Sequence, residues 1–310
     1  MLVAGLLVLT VAADRFVLGA ARLSSALAVS PVIVGVIVIG FGTSAPEMVV
    51  TVLAAVQGEA DLAFGNIVGS NTANVLLVLG AAALLSPIAV AVTTLRREVP
   101  LMLLAVILLA AVTGDGRAQV LAGVALLAAG VGVAVLLIRS ALSDRTGALA
   151  MADEIDAFGR GGTPRVCPSA LLALAGLIGT VVGAQLLVVG ATGLAEALGV
   201  TQAVIGLTVV AIGTSLPELV TAVAAARRGE PDLVVGNVLG SNLFNSLLIA
   251  GTAAVIGDVQ LDPAFPRALG IMVASCVLAG FFLFTGRRLA RREGGALLLL
   301  FVVVIWLSAT

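Results

Sequence analysis

Two stretches of this chain, beginning at Gly42 and Gly213, read GTSAPEMVV…GEADLAFGNIVGSNTANVLLVLG and GTSLPELVT…GEPDLVVGNVLGSNLFNSLLIAG. A single offset of 171 residues carries Thr43 onto Thr214, Ser44 onto Ser215, Pro46 onto Pro217 and Glu47 onto Glu218, then Asn66, Ser70, Asn71 and Asn74 onto Asn237, Ser241, Asn242 and Asn245, without a gap. Each copy sets a glutamate beside a proline within a long apolar stretch. Any fold for this chain must therefore place two equivalent polar sites inside apolar surroundings, where an ionisable residue marks an ion or substrate pathway.

The surroundings are apolar throughout. Hydrophobic residues make up 61% of the 310 positions and charged residues 11%, and the apolar runs approach the roughly 20 residues needed to cross about 30 Å of hydrocarbon. The chain reads as an all-α polytopic membrane protein. Hydropathy and breaker residues suggest ten transmembrane helices, near residues 1–20, 30–57, 62–86, 98–113, 118–139, 169–197, 201–228, 233–256, 264–286 and 294–310. The first apolar run lacks a basic leader and carries Asp14 and Arg15, so it reads as a retained span.

Five spans per half is an odd number. Two inverted five-helix repeats follow, at 1–139 and 169–310, joined by a cytoplasmic loop at 140–168. All sixteen basic residues are arginine. With the N-terminus outside, all but Arg15, Arg117 and Arg267 fall on the cytoplasmic side, as the positive-inside rule requires. The loop after span 2, GEAD, has no basic residue, whereas the loop after span 7 carries Arg227 and Arg228. Both termini are then expected outside the cell, in a plasma-membrane protein.

In a helix Thr43, Ser44 and Glu47 lie at i, i+1 and i+4, so both hydroxyls stand close to the carboxylate's face. Pro46 offers no N–H to the carbonyl of Gly42 and should break the helix, turning main-chain oxygens inward. The next span adds Ser70 and Asn74 on one face, as Ser241 and Asn245 in the second copy. Gly65 and Gly69, like Gly236 and Gly240, form small surfaces that let two helices approach closely. An anion, hydroxyls and carbonyls at one depth are hard oxygen ligands, suited to Na⁺ and Ca²⁺. The chain has no histidine, and Cys167 and Cys276 show no metal or redox spacing, which argues against copper and zinc. Two carboxylates brought together give a charge that one Ca²⁺, or several Na⁺, would cancel.

Other polar residues have plainer readings. The threonine and serine hydroxyls can bond back to the i−4 carbonyl, and Asn66, Asn71, Asn237 and Asn242 can be interhelical bridges as readily as ligands. Asp14 with Arg15 reads as a local pair or a pathway residue, since the offset maps Asp14 onto Gln185. Asp153, Glu154 and Asp156 read as a solvated face. No HExxH and no paired-aspartate or serine–lysine arrangement supports an enzyme.

In G-T-S-x-P-E and G-N-x-x-G-S-N-x-x-N, present twice, the chain resembles the prokaryotic sodium/calcium exchangers of the cation/calcium antiporter superfamily. The lead-in to each motif, FVLGAARLSSALAVSPVIVGVIVIGF against LVVGATGLAEALGVTQAVIGLTVVAI, extends the resemblance over almost the whole chain. It implies a core of spans 2, 3, 7 and 8 across which spans 1 and 6 slide. It implies Ca²⁺ between Glu47 and Glu218 with main-chain oxygens of Thr43 and Thr214, and flanking Na⁺ sites using Ser44, Ser70 and the Gly40 carbonyl, mirrored by Ser215, Ser241 and Ala211. Asn74 and Asn245 stand where some members carry aspartate; an aspartate in the second repeat accompanies K⁺ co-transport, which is therefore not expected. The implied function is antiport of Na⁺ for Ca²⁺ by alternating access, the alternative being H⁺/Ca²⁺ antiport. No cofactor, nucleic acid or obligate protein partner is expected beyond the transported ions and the bilayer.

Overall fold

A computed structural model describes residues 1–156, 165–198 and 211–309. It is a helical bundle. Helix α1 (Leu2–Leu27) is followed by α2 (Pro31–Thr43) and α3 (Ala45–Val56), which meet at a 45° bend, and by α4 (Ala60–Leu85). After a short α5 (Val92–Arg96) come α6 (Glu98–Thr113) and α7 (Val120–Asp156). The remaining helices are α8 (Val166–Ala197), α9 (Ala211–Thr214), α10 (Leu216–Arg228), α11 (Pro231–Val255), α12 (Phe265–Gly286) and α13 (Arg291–Ala309). Among the described residues six helices are each long and apolar enough to cross a membrane, and the bent α2–α3 pair makes a seventh. Of the other expected spans, α6 has 16 residues, α13 opens on Arg291, Arg292 and Glu293, and the first half of span 7 lies outside the described residues.

The chain is polar within and apolar without. Leu7, Val11, Leu53, Leu104, Leu121, Leu171, Phe281 and Trp306 are exposed, while Glu47, Asn71, Asn74, Glu218, Asn237, Asn242 and Asn245 are buried. A water-soluble protein shows the reverse; hydrocarbon rewards this distribution.

The 171-residue offset governs the architecture as well as the sequence. Four two-residue strands tie the loops: β1 (Ile88–Ala89) pairs antiparallel with β4 (Arg288–Leu289), and β2 (Arg117–Ala118) with β3 (Val259–Gln260). The offset maps β1 onto β3 and β2 onto β4, and it maps the register Ile88↔Leu289 onto Val259↔Ala118. Gly58 and Gly229, both at positive φ, end α3 and α10 in the same way. Contacts between the halves are thus reciprocal, as in an isologous dimer.

Glycine sets the closest approaches. A Cβ on Gly236 or Gly240 of α11 would lie 2.5 Å from the carbonyl oxygen of Val32 or Val36 of α2, so these backbones touch directly. The segment that the offset would bring to Gly65 and Gly69 lies outside the described residues. Helix α1 packs antiparallel on α8 along its length in the same manner, Gly5 against Leu187 and Gly176 against Phe16.

One boundary differs from the reading above. Helix α7 runs on to Asp156, well into the segment expected as a loop, because Ala141, Leu142, Arg145, Ala148, Leu149, Ala150 and Met151 are strong helix formers and no proline interrupts them.

Charges segregate to the two ends of the bundle. Where α3 ends at Gln57, Glu59, Asp61, Asp115, Asp258 and Asp262 gather, and Asp61 accepts the Asp262 N–H at 2.7 Å. Where α10 ends at Arg228, the helix ends and the segments joining them carry Arg96, Arg97, Arg227, Arg287, Arg288, Arg291 and Arg292. Two predictions follow from this packing and polarity. With Cys167→Ser removing the exposed thiol and Cys276 buried, a cysteine at Gln57 should react with an impermeant maleimide on intact cells, and one at Arg227 only after permeabilisation. Reaction of both from one side would exclude opposite placement of the two loops. Separately, Gly240→Ala should destabilise the bundle by about 1–3 kcal/mol through overpacking, seen as a lowered thermal midpoint in detergent; an unchanged midpoint would show slack between α2 and α11.

Candidate functional site

The two motif glutamates begin half-helices. Ser44 (φ −80°, ψ 6°) leaves helical geometry and becomes the N-terminal flanking residue of α3, and Ser215 (φ −88°, ψ 6°) does the same for α10. Pro46 and Pro217 occupy the first turn, where a missing N–H costs least. Glu47 and Glu218 therefore lie in the first turn of a new helix, whose N-terminal peptide dipoles favour negative charge. The break falls at the serine, two residues before the proline that causes it.

Each carboxylate is served from the opposite half. Ser44 Oγ donates to Glu218 Oε1 at 3.2 Å, and Ser215 Oγ approaches Glu47 Oε1 to 3.5 Å. Glu47 and Glu218 are 2% and 1% exposed, so neither charge is relieved by bulk water. The second oxygen of each, Oε2, is buried without a hydrogen-bond partner. Thr43 Oγ1 bonds back to the Ile39 carbonyl at 2.9 Å and reaches Asn237 Oδ1 at 3.2 Å.

A second row lies on α4 and α11. In both helices the backbone widens into a π-helical turn starting at the last motif asparagine, Asn74–Val78 and Asn245–Ile249; a third such turn, Gly35–Gly40, precedes the break in α2. Such turns leave the regular i→i−4 ladder and recur at functional sites. Ser241 Oγ donates to the Gly40 carbonyl at 3.2 Å. Ser70 is buried one turn before Asn74 and accepts the Asn74 N–H through its own carbonyl. Asn74 Nδ2 donates to Asn242 Oδ1 at 3.0 Å, leaving Asn74 Oδ1 buried and unpartnered; both amide atoms of Asn245 are in that condition. Thr214 closes the short α9 and Ala211 opens it.

The two carboxylates, Ser44, Ser215, Ser241, Thr43, Gly40 and the α4–α11 asparagines thus converge on one buried region between the halves, with Ser70 buried one turn before Asn74. The pairings cross over: Gly40 meets Ser241, and Ser44 meets Glu218, so neither half assembles its polar groups alone. Among the described residues no three His, Cys, Asp or Glu side chains are grouped so that they could hold a metal ion. The region offers two carboxyl groups and neutral oxygens, a hard donor set for Na⁺ or Ca²⁺.

Sequence reasoning left four asparagines undecided, and the structure separates them. Asn66 and Asn237 hold the backbone of the glutamates, donating to the carbonyls of Glu47 (3.5 Å) and Glu218 (3.1 Å). Asn71 and Asn242 cross-link α4 to α11: Asn71 Nδ2 reaches Ser246 Oγ at 2.8 Å and Asn242 Nδ2 the Asn71 carbonyl at 3.3 Å. Thr51, the partner of Asn66 at 3.0 Å, went unnoticed, although its spacing of i+4 from Glu47 was a visible signal; the offset maps it onto Ala222, so it is not part of the repeated motif. Asp14 pairs with Arg228 at 2.7 Å and not with its neighbour Arg15; adjacent residues on a helix do not face each other.

Comparison with known proteins gives the family and the fold. The sequence profile described as "Sodium/calcium exchanger protein" matches residues 1–139 and 168–310. The chain belongs to the sodium/calcium exchanger family. Its relatives include the sodium/calcium exchanger MaX1 of Methanosarcina acetivorans, 30% identical across 98% of this chain and 96% of that one. The inner membrane protein YrbG of Escherichia coli is 36% identical, covering 99% and 95%. The bundle superposes on the sodium-calcium exchanger NCX_Mj, solved after soaking with Na⁺ and Sr²⁺, with a TM-score of 0.86 at 31% identity over 98% of this chain and 96% of that one. As a member of this exchanger family the protein is a multi-pass membrane antiporter and not an enzyme.

Proposed function

We propose that this exchanger carries Na⁺ in exchange for Ca²⁺ by alternating access, with both ions bound between Glu47 and Glu218. The observation that supports this most directly is the crossed pairing of Ser44 with Glu218 and Ser215 with Glu47, which sets both carboxylates into one buried region with a free oxygen each. In this reading Ca²⁺ lies between the carboxylates with the main-chain oxygens of Thr43 and Thr214. Na⁺ ions flank it, using Ser44, Ser70, Gly40, Ser215, Ser241 and Ala211, with Asn74 and Asn245 supplying amide oxygens. The ten spans form two inverted repeats, 1–139 and 169–310, and the arginine-rich end faces the cytoplasm of a plasma-membrane protein with both termini outside.

The charge balance explains why exchange is coupled. Two uncompensated carboxylates in a buried site are costly, so the path between facing states is open when cations fill it and closed when it is bare. One Ca²⁺ cancels the two charges, whereas more than two Na⁺ leave net positive charge, making exchange electrogenic at about 2.3 kcal/mol per charge per 100 mV. Asn245 adds a dipole but no charge, so K⁺ is neither required nor carried. H⁺/Ca²⁺ antiport is the competing reading; the retained serines Ser44, Ser70, Ser215 and Ser241 favour Na⁺, because a proton needs no such ligands.

Glu47→Gln and Glu218→Gln should each weaken Ca²⁺ binding by roughly two to three decades, because a half-compensated buried charge costs about 3–5 kcal/mol. Radiolabelled Ca²⁺ flux in proteoliposomes reads this, and near wild-type flux in either variant would sink the site. In the same vesicles, replacing Na⁺ by choline at constant pH should stop Ca²⁺ exchange, while replacing K⁺ should not. Flux that follows a proton gradient without Na⁺ would establish the competing reading.

A further inference from the structure

Helix α1 carries one acidic residue, Asp14, midway along its length and beside Arg15. An ionisable group in that position demands a partner. Arg228 supplies it from the last turn of α10: Nε donates to Oδ1 and Nη2 to Oδ2, both at 2.7 Å. This is the bidentate fork that fixes orientation as well as charge. The partners come from different halves of the chain: Asp14 from α1, which is packed along its length on α8, and Arg228 from α10, the half-helix whose first turn holds Glu218.

The ion pair has no counterpart under the 171-residue offset. The strand pairings, the α1–α8 glycine contacts and the serine–glutamate contacts recur under the 171-residue offset, but Asp14 maps onto Gln185 and Arg228 onto Gln57, two neutral side chains that form no ion pair. In an antiporter built of equivalent halves, exchanging the conformations of the halves exchanges the two facing states. Symmetric contacts then contribute equally to both states, and an interaction found in one half alone biases the population.

We propose that Asp14–Arg228 is a one-sided latch that holds the α1–α8 pair against the Glu218 helix at the arginine-rich end and so weights the facing equilibrium toward the state seen here. Arg228 and Asp14 act as positioning residues and bind no transported ion. The inference rests on the alternating-access reading. Both side chains are partly exposed, at 31% and 45%, so the latch is weak: its loss shifts the population by about two- to fivefold, the scale of an exposed ion pair.

The test uses the full chain in nanodiscs, carrying Cys167→Ser and spin labels at the exposed positions Leu7 of α1 and Leu53 of α3, with distances measured by pulsed electron resonance. No ion gradient is needed, so an error in the Na⁺ or Ca²⁺ assignment leaves the result readable. Asp14→Asn and Arg228→Gln should each raise the same second distance population, the double variant should raise it no further, and the exchanged pair Asp14→Arg with Arg228→Asp should restore the original distribution. Arg228→Lys, which keeps the charge and loses the fork, should fall between; it also serves if either neutral variant fails to fold. Unchanged distances in the single variants, or additive effects in the double, would overturn the latch. So would a response to Asp14→Asn alone, which would make Asp14 an ion ligand.

Discussion

Two carboxylates buried in an apolar bundle impose the constraint on which the rest of this structure depends. Burial strips Glu47 and Glu218 of water, and nothing in hydrocarbon replaces it. The chain answers with dipoles and hydroxyls: each glutamate opens a half-helix, each receives a serine from the opposite half, and each has its own carbonyl held by an asparagine. The proline that interrupts the helix makes this possible, because a continuous helix presents no free N-terminus at mid-depth. The π-turns at Asn74 and Asn245 extend the same logic, since a loosened ladder offers backbone oxygen where a regular helix offers none.

The crossed pairing ties the makeup of the buried polar region to the relation between the halves. If Gly40 were served by Ser70 and Glu47 by Ser44, each half would own a complete site and could move without consequence for the other. Instead Ser241 reaches Gly40 and Ser44 reaches Glu218, so displacement of one half against the other alters the donor set. Gly236 and Gly240 permit this by bringing α11 into backbone contact with α2. Close packing therefore serves the placement of the polar groups as much as stability, which is why small residues, and not large apolar ones, line this interface.

Much of this was legible in the linear text because duplication is a strong signal. The repeated motif located both glutamates, the proline announced the broken helix, and the spacing of Ser70 and Asn74 placed a second row on one face. Other features left no mark. Asn71 and Asn66 are the same residue type five positions apart, yet one bridges helices and the other supports a glutamate carbonyl; which does which depends on the partner helix. The extension of α7 was missed because charged residues were taken for a loop, whereas alanine, leucine and arginine continue a helix as well in water as in lipid.

The amino-acid sequence by itself determined the apolar class of the chain, the two-fold repetition and the identity of the hard oxygen donors, because each is a property of residue type and local spacing. Only the tertiary structure decided who serves whom: Ser44 with the distant glutamate, Ser241 with Gly40, and Asp14 with Arg228 in place of its neighbour Arg15. Such pairings join residues about 170 to 210 positions apart and are set by how the helices cross, which no local pattern encodes. Side-chain chemistry fixes what a residue can bind; the packing of backbones fixes what lies within its reach.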